Sequence, residues 1–143
     1  MNIQYKFIRY EDLSARQQES YNYQMASAVL ANYGFTTIRL SDDWQGADFI
    51  AQHIDGKTFL KIQLKGRASF DKKYSGRDIY ICFCEKDNWY LYPHDEVLEL
   101  LLKSSNIGES DFWKKKGYWN FPYLTKKLKL LLAPYKLQGT KQE

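Results

Sequence analysis

The alternation of apolar and polar positions divides the chain into one long helical stretch, a run of strands and a helical C-terminal third. Residues 1–11 carry no clear period and read as a short lead-in, with an edge strand as one option. Met25, Ala26, Val29, Leu30 and Tyr33 recur at the spacing of a single helix face, which predicts a helix over 12–33 that Gly34 stops. The β-branched run Phe35 to Leu40 predicts a strand, followed by a polar turn over 41–46. Strands are expected over 47–54 and 57–65, joined as a hairpin by Asp55-Gly56. Residues 66–77 are basic and punctuated by glycine, so they read as a loop.

The run Asp78 to Cys84 is apolar throughout, as a strand buried on both faces should be. A turn at 85–87 and a second strand over 88–92 follow, stopped by Pro93. Val97, Leu98, Leu101 and Leu102 form the apolar stripe of a helix over about 95–104, with His94 or Asp95 as its cap. Residues 105–123 read as irregular, aromatic and lysine-bearing. Thr125 caps a last helix over about 126–133, ended by Pro134, and the tail is expected to fray. This order predicts one α/β domain over 1–143, a mixed central sheet of about five strands covered by helices. Its core would span about 12–104, with a C-terminal segment and helix over 105–136 and a tail over 137–143.

Composition changes this picture little. With 143 residues the chain is long enough for one real core. A formal charge of +4 permits a polyanionic partner without requiring one. No apolar run approaches a membrane span and the start MNIQYKFIRYEDL is mixed and polar, so no membrane partner is expected. The two cysteines, Cys82 and Cys84, sit two apart on one strand. They make a poor disulfide pair, and without further Cys or His partners no zinc site, so packing in a reducing, cytoplasmic setting is the expectation.

The chemistry concentrates in Gly46-Ala47-Asp48 and Gln63-Leu64-Lys65. Strand side chains alternate, so Gln63 and Lys65 share a face, and an antiparallel hairpin brings Asp48 to the same end. Cleavage of a phosphodiester by a divalent cation needs oxygen ligands with open positions, an oriented water, and positive charge at the phosphorus. Asp48 offers a hard anionic ligand, Gln63 its amide oxygen, and Leu64 its backbone carbonyl. Lys65 offers a cation for the water or the phosphate. The plain alternative is a strand-start acid followed by the solvent-facing edge of a strand.

The segment Asp48 … Gln63-Leu64-Lys65 resembles the core of the PD-(D/E)XK nuclease superfamily, which includes restriction endonucleases and archaeal Holliday junction resolvases. The helix ending at Gly34-Phe35, the strand after it and the Gly-Ala-Asp turn share in the likeness, which covers roughly residues 16–92. It implies a restriction-endonuclease-like fold and a nuclease using Mg²⁺ or Mn²⁺, with Asp48, Gln63 and Lys65 as catalytic residues. Asp48, Gln63 and the Leu64 carbonyl would hold the metal. The family's usual acid is Gln63 here. Members often carry a further Glu on the first helix, for which Glu19 is the candidate; Asp42 and Asp43 are the other nearby acids.

Arg67, Lys72, Lys73 and Arg77 would then be placed to touch nucleic-acid phosphates, although a basic loop is ordinarily just solvated. The same two readings apply to Lys114, Lys115 and Lys116 and to Lys126, Lys127 and Lys129. Trp44 and Gln45 would stack on a base or pack on the sheet. His94 is expected to cap or pack, His53 to lie at a strand edge, and the aromatics 118–123 to form a satellite core or a dimer surface. The leading expectation is a metal-dependent endonuclease acting on DNA, working as a homodimer by analogy with small nucleases. The alternatives are a nuclease-like module that binds nucleic acid or a regulatory partner without cutting, and an RNA nuclease.

Overall fold

A computed structural model describes residues 4–44 and 46–139. Residues 1–3, the Asp43 and Trp44 side chains, Gln45 and residues 140–143 lie outside it, and with them the place of Asp43 near the site, the expected stacking of Trp44 and Gln45 and the fraying of the last residues.

The first helix, α1, spans Ala15–Ala31. It starts three residues later than predicted because Ser14 closes a reciprocal capping box with Gln17, at 3.2 and 2.9 Å. Residues 10–12 form a separate 3-10 turn, and no strand forms among residues 4–9. Ala26, Val29 and Leu30 are buried, whereas Met25 and Tyr33 of the expected stripe are exposed. Gly34 takes the left-handed turn at φ +84° that releases the chain into the sheet.

Strand β1 runs over Phe35–Trp44, so it continues through the predicted turn at 41–46. Strands β2, Ala47–His53, and β3, Phe59–Leu64, form the predicted antiparallel hairpin. At its turn the Asp55 carboxylate accepts Lys57 N–H, Thr58 N–H and the Thr58 hydroxyl at 2.7–2.8 Å. Those bonds, Thr58's first, hold its carboxyl well below the usual range. They also keep Lys57 and Thr58 in the turn, so β3 starts at Phe59.

The predicted loop at 66–77 contains β4, Ser69–Asp71. Strand β5 spans Ile79–Glu85 and β6 Asn88–Pro93. Lys86 and Asp87, both at positive φ, turn the chain between them. Helix α2 covers His94–Ser104, and neither His94 nor Asp95 caps it. The stretch predicted as irregular holds α3, Asp111–Lys116, and β7, Tyr118–Asn120, which pairs with β4. Helix α4 spans Lys126–Leu132, capped by Thr125 as predicted. Strand β8, Lys136–Leu137, pairs with β6.

The main sheet has six strands in the order β1-β2-β3-β5-β6-β8, one more than predicted because of β8. Only β3 and β5 run parallel. The fold is therefore α/β with a mixed sheet flanked by helices. Alternation along β5 divides the core in two. Cys82 faces α1 with Ala26, Leu30, Phe49, Ala51 and Ile62. Ile79, Ile81 and Phe83 face α2 and α4 with Val97, Leu101, Leu128 and Leu132. Each such buried side chain contributes about 1.5–3 kcal/mol. Both cysteines are free, and burial, with Cys84 alongside, pushes the Cys82 thiol up to about 12. Among the described residues no helix is long and apolar enough to cross a membrane.

Candidate active site

The hairpin register sets the site. Phe49 pairs with Ile62, and one step outward along the strands Asp48 stands opposite Gln63. The Asp48 carboxylate accepts Leu64 N–H at 2.8 Å, which ties the end of β2 to the end of β3. Ile62 and Leu64 pack toward α1, so Gln63 and Lys65 alternate away from them. The Gln63 Oε1 atom is buried and has no hydrogen-bond partner among the described residues. A buried amide oxygen without a donor costs about 1–3 kcal/mol, so it calls for a missing electrophile such as a proton donor or a cation.

The sheet opens at this point. Arg39 pairs with Phe49 and Trp44 with Ala47, so four residues of β1, 40–43, face the single residue Asp48. This large bulge bends β1 away and leaves a cleft of about 460 Å³. Asp48, Gln63, Leu64 and Lys65 line it together. Glu19 of α1 and Asp42 of the bulge line it as well. Among the described residues, however, no three His, Cys, Asp or Glu side chains converge closely enough to hold a metal ion. The acids share the cleft without forming a carboxylate cage.

Lys65 is oriented by an aromatic ring. Its Nζ sits 5.5 Å from the centroid of Tyr74, and Lys73 Nζ sits 5.1 Å from the same ring. Tyr74 is buried and lies against Gly46: a Cβ there would meet its Cδ1 at 3.0 Å. Gly46 also holds φ +90°. The glycine before Ala47-Asp48 thus allows both the chain's turn into β2 and the close approach of the ring that carries Lys65.

The basic loop does not act as one patch. Lys72 Nζ lies over the buried Trp113 ring at 5.3 Å, and Lys73 reaches Asp71 at 3.9 Å. Arg67 and Arg77 are exposed. His94 is fully buried and packs, as predicted: Nε2 accepts Asp71 N–H at 3.0 Å, so Nδ1 carries the proton and donates to Asp95 at 2.9 Å. His53 lies at the end of β2 against Phe35.

Sequence reasoning missed Arg39, which also lines the cleft. Its signal was present, since it is the only cation in the predicted strand 35–40, and its regular pairing with Phe49 places it next to Asp48, where the bulge opens.

The donors present, a carboxylate, an orphaned amide oxygen and backbone carbonyls, are hard oxygen ligands of the kind that suit Mg²⁺ or Mn²⁺. The fold is similar to nuclease folds. A Holliday junction resolvase from Archaeoglobus fulgidus, an archaeal hyperthermophile, is 14% identical over 52% of this chain and 73% of its own, with a TM-score of 0.38. A bacterial homing endonuclease is 13% identical over 80% of this chain and 79% of its own, with a TM-score of 0.45. No protein-family model matches the chain, and no curated protein sequence matches it.

Proposed function

We propose that the protein is a metal-dependent endonuclease that hydrolyses phosphodiester bonds in DNA. The observation that carries this reading is the buried Gln63 Oε1, without a hydrogen-bond partner among the described residues, in the same cleft as Asp48 where β1 opens. Asp48, Gln63 and the Leu64 carbonyl would hold Mg²⁺ or Mn²⁺, with Glu19 reaching in from α1. A bound divalent ion supplies Lewis acidity and lowers the pKa of water.

The chain's own residues do the rest. The Leu64 N–H donates to the Asp48 carboxylate and so ties it to the end of β3. The Lys65 ammonium, aimed by Tyr74, meets the negative charge that builds on the phosphate oxygens as a water oxygen bonds to phosphorus and the bond to the departing sugar oxygen breaks. Arg67 and Arg77 would contact the backbone on either side, with Lys73 and Lys72 beside them. Two copies would cut two strands.

That no three carboxylates converge among the described residues favours a second reading, a nuclease-like module that binds nucleic acid without cutting it. One experiment separates the two. The purified protein is incubated with plasmid, single-stranded DNA, branched DNA and RNA, with Mg²⁺, Mn²⁺ or EDTA, beside Asp48→Asn and Lys65→Ala. The endonuclease reading expects DNA cleavage that needs metal and is lost in both variants. Cleavage that persists in both, or tight binding with no cleavage in either metal, rejects it.

A further inference from the structure

We propose that Arg39 binds a backbone phosphate adjacent to the one being cut, an inference that rests on reading the cleft as a nuclease site. Arg39 occupies the last regular pair of β1 and β2 before the bulge, opposite Phe49 and so one residue from Asp48. It lines the same cleft as Gln63 and Lys65.

Although Arg39 is exposed, its guanidinium has partners on α1. One nitrogen donates to Ser20 Oγ at 3.1 Å, and the group lies 5.3 Å from the Tyr23 ring centroid. That ring is itself fixed. It packs edge-on against buried Phe49 at 5.2 Å, and its hydroxyl meets Thr37 Oγ1 at 2.9 Å, where Ser27 Oγ also bonds. The platform therefore belongs to the core of the α1–sheet interface.

What the guanidinium lacks is a counter-charge. It forms no ion pair among the described residues, although Glu19 and Asp42 line the same cleft. Only one of its five N–H donors has a described acceptor. A pre-oriented planar fork with spare donors and unbalanced charge matches the two oxygens of a phosphodiester, and ordering it in advance removes part of the entropy cost of binding. Lys72, by contrast, points at Trp113, and Lys73 at Tyr74 and Asp71. Arg39 is a cation that Ser20 and Tyr23 hold in the cleft and that has no acidic partner among the described residues.

The test measures binding separately from cleavage. In the full chain carrying Asp48→Asn, anisotropy of labelled duplex and branched DNA is followed across a salt series, and Arg39→Gln, Arg39→Lys and Lys103→Gln are added singly. Arg39→Gln is expected to weaken binding about tenfold and to lower the slope of log K against log salt by about 0.9, one phosphate contact. Arg39→Lys, which keeps the charge and serves if the Gln variant unfolds, should keep the slope and lose affinity. An unchanged affinity and slope in Arg39→Gln overturns the inference while the nuclease reading stands. An equal loss in Lys103→Gln, which lies on α2 outside the cleft, also overturns it, because net charge alone would then account for the effect. Absence of salt-dependent binding by the Asp48→Asn parent overturns both.

Discussion

The Asp48 carboxylate is bound to the backbone of Leu64, the residue between Gln63 and Lys65, through a 2.8 Å hydrogen bond. The acid at the start of one strand is thereby positioned by the backbone of the triplet on the next. A structural bond and the proposed catalytic geometry depend on the same oxygen pair, which makes them separable by substitution.

Asp48→Asn keeps an oxygen able to accept Leu64 N–H but removes the charge. It should fold with near-native stability and lose metal-dependent cleavage. Asp48→Ala removes the acceptor as well and should cost a further 1–3 kcal/mol or so, because the N–H is left unpaired in a partly buried site. Urea unfolding of the two variants side by side checks the difference. Equal stabilities would mean that the bond contributes nothing.

Gln63→Glu places a second carboxylate across from Asp48 where an orphaned amide oxygen now lies. Without metal the two like charges oppose each other in a poorly solvated place, and stability at neutral pH should fall by roughly 1–3 kcal/mol. Added Mg²⁺ should restore it, giving a metal-dependent rise in Tm larger than that of the natural chain. Thermal melts with Mg²⁺ and with EDTA report this directly.

Gly46→Ala meets two obstacles at once. A left-handed backbone costs any side chain about 1–2 kcal/mol, and the new Cβ would press on Tyr74. We expect a loss of at least that size. Displacing the ring that aims Lys65 should also reduce cleavage beyond what the folded fraction explains, as activity per folded molecule measured below the melting transition will show.

Asp95 links acid stability to the ground beneath the site. Its partial burial works to raise its pKa, but hydrogen bonds from His94 and from Gly76 N–H outweigh that and lower it. A carboxyl depressed in the folded state adds stability above its unfolded pKa of about 4, and that stability drains away as pH falls through the lower folded value. Asp95→Asn should therefore be less stable at pH 7 and show a flatter decline below pH 4. As nearly half of this side chain is exposed, the effect should stay below about 1 kcal/mol. Denaturant midpoints at pH 3 to 7 resolve it.

The strands with strong local signals were readable in the sequence. Asp55-Gly56 marked the β2–β3 hairpin, the unbroken apolar run marked β5, and Gly34 marked the end of α1. Asp48 and Gln63 were readable for the same reason, since they sit on strands whose register the hairpin fixes, with Lys65 directly after the end of β3. What escaped depended on distant partners. Strands β4 and β7 are three residues each and exist only because they pair with one another across 46 or more intervening residues. Strand β8 is two residues and owes its form to β6. The continuation of β1 through a polar stretch goes with a bulge that local propensity does not encode; Arg39 itself sits in the regular ladder before it.

That bulge has a second effect, on association. Strand β1 is an outer strand of the sheet, and a ten-residue outer strand with a regular ladder would invite another chain to add to it, the usual route to edge-to-edge aggregation. By opening over residues 40–43 the strand interrupts its own row of donors and acceptors halfway along, while β8 leaves only two residues at the opposite edge. The irregularity that gives the molecule its cleft therefore also shortens the surface on which it could polymerise.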